Sequence, residues 1–494
     1  MERLSGILLP ISSLPSDYGI GCFDEYSYKF VDFLADSAQS YWQILPIGPT
    51  SFGDSPYQSF SSFAGNPYFI SLKELINQGL LTEEELICHE DNTNKIDYEK
   101  LYNTRYNILK TAFSRWEKDA EYEDFAEKNE YWLSDYSLFM ALKEHFSQKV
   151  WNEWPDDIKL RKPQAICEYS NLLKEEIEFH CFLQFEFITQ WMKLKEYANN
   201  KRVEIIGDIP IYVSFDSADV WANPELFCLD EDLNPTSVAG CPPDGFSADG
   251  QLWGNPLYDW KMHKKTNYQW WIERIKYSFT LFDLVRIDHF RGFDEYYSIP
   301  YGDKTAVNGK WEKGPGKEFF AFLKCTLSNT RFIAEDLGFL TDGVRDLLEF
   351  CGYPGMKVLQ FGFDSRDSSS NDHIPHNYKN NYVVYTGTHD NHTLLSWLHS
   401  ISQYELDFVA EYFNTCTNDP KDIADTMIFS AFASVCDTCI IPFADWLGLD
   451  DSARINIPST LGDNWVWRAK KSDFSDELKE KIAKITRLYA RCKH

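Results

Sequence analysis

The sequence predicts an α/β protein, a (β/α)8 TIM barrel with inserted helical and loop subdomains. Eight short apolar, β-branched runs recur along the 494 residues, each ending in a polar or turn-forming cluster. Their near-continuous apolar character, without strict alternation, is that of strands buried on both faces. Helix-like stretches fall between most of them, and eight strand-plus-helix units make a closed barrel.

The runs are "LSGILLPIS" (4–12), "YWQILPIG" (41–48), "RVEIIGDIP" (202–210), "FDLVRIDH" (282–289), "TRFIAEDLG" (330–338), "MKVLQFGFD" (356–364), "YVVYTGTHDN" (382–391) and "TCIIPFADW" (438–446). Helices are expected over 24–39, 316–329 and 342–352. Two connections exceed what a barrel needs. Residues 73–200 are acidic and helically periodic, and read as a mostly helical insertion. Residues 211–262 are rich in Pro, Gly and Asn, and read as an active-site loop insertion with little regular structure. The chain is otherwise one catalytic barrel over 1–494, and "DSRDSSSND" (364–372) reads as a mobile surface loop.

Composition narrows the function. The 76 acidic residues outnumber 48 basic ones, for a formal charge of -28. Such a field repels polyanions and anionic lipid heads, so nucleic-acid and membrane-surface partners are not expected and a neutral substrate is. No stretch reaches the roughly 18–20 uncharged residues of a membrane span. The opening "MERLSGILLPISSLP" is too broken, by Glu2 and Pro10, for a secretory signal, and a cytoplasmic location is expected. The twelve cysteines are scattered, mostly in apolar surroundings; the single C-x-x-C, Cys436 and Cys439, reads as core.

Barrel active sites gather where the strands' carboxyl ends converge. There the sequence places Asp208, Asp288, Glu335 and Asp390, on the third, fourth, fifth and seventh candidate strands. One acid at a strand end is ordinarily a cap or an ion-pair partner. Four on one rim repel one another and cost stability unless used. Arg286 lies two residues before Asp288, on the same side of an extended strand, and is expected to keep it ionised, as a nucleophile requires. Glu335, with Arg331 four residues away and Asp336 adjacent, is expected to hold its proton more readily, as a general acid requires. One ionised and one protonatable carboxyl is the pairing of glycosidic-bond chemistry.

Other chemistries fit less well. His389, Asp390 and His392 cluster in "THDNHT", but a three-residue spacing makes neighbours only on a helix and this segment ends a strand, so no metal is expected. Phosphate-binding glycine loops are absent, and no cofactor is expected. Trp42, Tyr57, Phe60, Tyr212, Trp221, Trp253 and Tyr258 could pack a core or stack on sugar faces; Tyr57 and Trp253, in Gly/Pro-rich loops, are the better candidates for ligand contact.

The motifs "SPYQSFSSFAGNP", "GDIPIYV", "VWANPELF", "GQLWGNPLYDW", "VRIDHFRGF", "AEDLG", "PHNY", "YTGTHDN" and "IPSTLGDNWVWR", between about residues 4 and 468, together resemble the amylomaltase (4-α-glucanotransferase, disproportionating enzyme) family. The resemblance implies a (β/α)8 barrel without the C-terminal β-sandwich of α-amylases. It implies Asp288 as nucleophile, Glu335 as general acid/base and Asp390 as the carboxylate that binds sugar hydroxyls and stabilises the transition state. Arg286, His389 and Asp208 match positions around these, and Tyr57 and Trp253 match glucan-contacting ones. The implied reaction moves 1,4-α-glucan segments between maltodextrins, or other starch- or glycogen-derived glucans, by retaining double displacement, for which two carboxyls about 5 to 5.5 Å apart are expected. An α-glucan hydrolase and a catalytically silent glucan-binding protein are the alternatives. Two departures stand out: Gly245 where the family often has Tyr, and His392 where it often has an acid. A long N-terminal extension, carried by some relatives, is not expected.

Overall fold

The computed structural model describes residues 3–87, 91, 93–243, 247–338, 340–365, 370–415 and 417–493. All eight expected strands form, shorter than their apolar runs: β1 (Leu4–Leu8), β2 (Tyr41–Gln43), β3 (Glu204–Ile209), β4 (Leu284–Ile287), β5 (Phe332–Ala334), β6 (Gly355–Val358), β7 (Tyr382–Tyr385) and β8 (Thr438–Pro442). They pair in parallel in the order β6-β7-β8-β1-β2-β3-β4-β5. The Ala334 N–H, donating to the Pro354 carbonyl at 2.9 Å, brings the two end strands together and nearly closes the barrel.

The barrel interior is an apolar cluster that includes Leu4, Leu8, Tyr41, Ile206, Leu284, Ile333, Met356, Val383, Tyr385 and Ile440. Inward positions alternate along a strand. Continuing the same parity upward from Ile206, Leu284 and Ile333 gives Asp208, then Arg286 and Asp288, then Glu335. The charged rim is therefore the top of the inward stripe. Gly6 of β1 permits closure at the floor: a β-carbon there would lie 2.4 Å from the Tyr41 carbonyl oxygen and 2.8 Å from Ile440 Cδ1.

Helices Glu25–Asp36, Gln269–Leu281, Gly316–Thr326 and Asp342–Cys351 cover the outside. Their ends follow local chemistry. Asp24 caps the first by accepting from the Tyr26 N–H, Thr341 caps the last by accepting from Val344 N–H, and Gly352 ends it in the left-handed conformation. Between β2 and β3 the long helices Ala120–His145 and Lys174–Asn200 pack together, with Trp116, Tyr122, Phe182 and Phe185 interleaved.

The 211–262 connection differs from expectation. It contributes strands Ser237–Cys241 and Gln251–Pro256 to a four-stranded antiparallel sheet, which Glu295–Pro300 and Lys310–Lys313, from beyond β4, complete. Val238, Tyr297, Ile299 and Ala306 form its small core. The partners lie some distance along the chain and are interrupted by Gly and Pro, so neither half shows the alternation of a self-sufficient hairpin. The expected loop at 364–372 lies partly outside the described residues, as does Gly245. After β8 the described residues hold no further strand, only short helical segments such as Phe443–Trp446 and the helix Asp476–Leu488.

Candidate active site

The loops after the strands enclose an open cleft of about 780 Å³ at the carboxyl end of the barrel, and Asp288, Glu335, Asp390, Tyr57, Trp253 and His389 all line it. Asp208 and Arg286 lie beneath, with side chains 0% and 4% exposed.

Arg286 organises the floor. Strand register places Asp208 opposite Arg286, and Arg286 Nη1 donates to Asp208 Oδ2 at 2.5 Å. Its other nitrogen, Nη2, donates to Glu335 Oε2 at 2.8 Å and to Asp288 Oδ1 at 3.2 Å. Two carboxyls sharing one nitrogen lie within reach of a single reacting centre. The Tyr57 hydroxyl donates to Asp208 Oδ2 at 2.8 Å, so Asp208 holds both the guanidinium and the Tyr57 loop in place.

One buried cation among three carboxylates cannot neutralise them all, and the shortfall is met by a proton. Burial and the Glu335 charge push Asp288 well above the usual carboxylate range. Burial also works to raise Glu335, but Arg286, the hydrogen bond to Asp288 and the His289 N–H, donating to Oε2 at 2.8 Å, outweigh it and leave Glu335 below its ordinary value. The balance favours a proton on Asp288 over one on Glu335. This is the reverse of the electrostatics read from the sequence, in which Arg286 was assigned to its near neighbour alone. From the neighbouring strand the same guanidinium reaches Glu335, just after β5, more closely.

His289 adopts φ 50°, a left-handed conformation uncommon for a residue with a side chain, and this turns its N–H toward Glu335 and its ring against Trp253, edge to face at 4.8 Å. Burial lowers its pKa to about 4, so the ring is neutral.

On the far wall His389 stacks on Tyr57, with centroids 5.2 Å apart and planes at 15°, and Trp465 leans on both. His392 turns away to pair with Asp451, so the two histidines of "THDNHT" diverge. Asp390 is set from a different segment: Asn456 Nδ2 donates to its Oδ1 at 2.6 Å and Arg454 Nη2 to its carbonyl at 2.9 Å. Gln58 ties the Tyr57 loop to the Trp253 strand through Asn255 Oδ1, at 3.1 Å. Of the remaining aromatic candidates, Trp42, Trp221 and Tyr258 are core residues, Phe60 is half-buried, and Tyr212, though buried, reaches the cleft. Sequence reading passed over Arg454, Asn456, Trp465 and Gln58. Trp465 and Gln58 stand inside quoted motifs, and Asn456 immediately precedes one.

Against this geometry, residues 9–473 match the family model described as 4-alpha-glucanotransferase. The chain belongs to the 4-alpha-glucanotransferase family. It is 49% identical over 488 residues to the 4-alpha-glucanotransferase of Clostridium butyricum, covering 98% of this chain and 99% of that one. With the 4-alpha-glucanotransferase of Thermus thermophilus it shares 42% over 488 residues, 97% of each chain. The solved amylomaltase from Streptococcus agalactiae in complex with acarbose superposes with a TM-score of 0.95 at 41% identity, covering all of both chains. The enzyme is thus a transferase of 4-α-glucans, and the barrel is the family's.

Proposed function

We propose that the enzyme transfers 1,4-α-glucan segments from a donor maltodextrin to the 4-hydroxyl of an acceptor glucan or glucose by double displacement through Asp288. The observation that carries this reading is Arg286 bridging Asp288 and Glu335 at the floor of a cleft whose walls bear Tyr57, Trp253, His389 and Asp390. Donor glucan separates the two carboxyls, and the shared proton passes to Glu335. Asp288 then attacks the anomeric carbon while Glu335 protonates the glycosidic oxygen, which leaves as the new 4-hydroxyl of the released sugar. In the second half the acceptor's 4-hydroxyl gives its proton to Glu335 and bonds to the anomeric carbon as Asp288 departs. Two inversions at one carbon retain the α-configuration.

Arg286 remains charged throughout and offsets the negative charge on whichever carboxylate is ionised. Asp390, held by Asn456, accepts hydrogen bonds from hydroxyls of the sugar being transferred. Starch- and glycogen-derived glucans are the proposed wider substrates, and a cytoplasmic place goes with the buried free thiols of Cys22, Cys436 and Cys439. No helix among the described residues is long and apolar enough to cross a membrane. Incubation with maltotriose tests the reading: a ladder of longer oligosaccharides is expected, and glucose and maltose alone would favour hydrolysis, in which water takes the acceptor's place.

A further inference from the structure

Trp311 sits on the edge strand Lys310–Lys313 of the antiparallel sheet, outside every motif discussed above. It lines the same cleft as the carboxylates and is 40% exposed, as is Leu252, which lines the cleft from the opposite edge strand. In the sheet's register Leu252, Gly240, Tyr297 and Trp311 fall in one row across all four strands, with the exposed apolar residues at its two ends. Large apolar side chains left open on a concave wall mark a binding surface more often than chance exposure does.

The ring of Trp311 is already held in place. The Arg291 guanidinium lies 4.0 Å from its centroid, and Tyr297 meets it edge to face at 5.1 Å. A ring fixed in this way loses little further freedom when a ligand stacks on it. Arg291 lies three residues after Asp288, so their backbones are at most about 11 Å apart. Trp311 packs on Arg291 and lines the same cleft as Asp288 from the wall formed by the antiparallel sheet, so a glucan that runs from the carboxylates along this wall meets it.

We propose that Trp311, backed by Arg291, is a stacking platform for a glucose unit of a longer α-glucan, remote from the bond being broken, and that it contributes to the preference for chain length. The proposal rests on the glucan reading of the cleft given above.

The test measures binding in the turnover-deficient Asp288→Asn background by calorimetric titration with each oligosaccharide from maltose to maltoheptaose. Affinity is expected to step upward by about tenfold, ~1.4 kcal/mol, at the chain length that first reaches Trp311. Adding Trp311→Leu, which keeps apolar bulk for the fold without a flat face, should remove that step and leave shorter ligands unaffected; Trp311→Phe should preserve it. An unchanged step in Trp311→Leu, or an equal loss at every length including maltose, overturns the proposal. The glucan reading itself is judged separately, by whether the unaltered enzyme builds a ladder from maltotriose and whether any oligosaccharide binds.

Discussion

Asn456 holds Asp390: its side-chain amide donates to Asp390 Oδ1 at 2.6 Å, across 66 residues of sequence. The contact is reinforced by Arg454, which donates from Nη2 to the Asp390 carbonyl and from Nε to the Asn456 carbonyl at 2.8 Å. Asp390 is otherwise among the more exposed carboxylates of the cleft, so its direction depends on this clamp. Asn456→Ala is expected to lower kcat/KM by about 10- to 100-fold through misplacement of the carboxylate, with little change in thermal stability. A wild-type rate would remove the clamp from the mechanism.

Removing the proposed nucleophile separates chemistry from binding. Asp288→Asn should reduce turnover by at least about 10³-fold while leaving maltodextrin affinity largely intact, because Tyr57, Trp253 and His389 still line the cleft. Initial rates and equilibrium titration on one preparation decide it. A variant with normal rate excludes Asp288 as the nucleophile.

The proton shared between Asp288 and Glu335 sets the pH dependence. On the proposed mechanism the free enzyme is competent with one proton on the pair, and kcat/KM reports the free enzyme. Glu335 is lowered and Asp288 is raised. Adding a second proton therefore requires pH below the ordinary carboxylate range, and losing the shared one requires pH well above it. The expected profile is a broad plateau whose alkaline limb lies beyond the usual carboxylate values. Arg286→Lys, whose shorter side chain lacks the planar fork that serves Asp208 and the two other carboxyls together, should move the acid limb upward as the positive charge acting on Glu335 weakens. An alkaline limb within the ordinary carboxylate range would contradict a raised Asp288.

Packing beneath the cleft leaves no room for added volume at Gly65, in the "SPYQSFSSFAGNP" loop. A β-carbon there would lie 2.1 Å from the Phe187 ring, and the Gly65 backbone is held at both ends by Gln184, its N–H donating at 2.7 Å and its carbonyl accepting at 3.0 Å. Gly65→Ala should destabilise the fold by about 1–3 kcal/mol, measurable by denaturant unfolding. A neutral effect would show that the loop or Phe187 relocates without cost.

All eight barrel strands and the parity that lifts Asp208, Asp288 and Glu335 to the rim were legible in the sequence, because burial on both faces and the two-residue period of a strand are local properties. The family motifs, too, are contiguous strings. What lay outside its reach depends on partners distant in the chain. Arg286 looks from sequence like Asp288's counter-ion, yet barrel register makes it Asp208's partner and Glu335's closer donor, and that sharing helps hold Glu335 low while burial and the Glu335 charge push Asp288 up. The antiparallel sheet bearing Trp311 needs strands from both sides of β4, so no single segment announces it. Asp390 takes its orientation from Asn456 and Arg454 after β8. Local pattern determines which residues face inward; only the pairing of strands distant in the chain, and the loops above them, determine which of them touch, and charge interactions between buried groups are decided by touching.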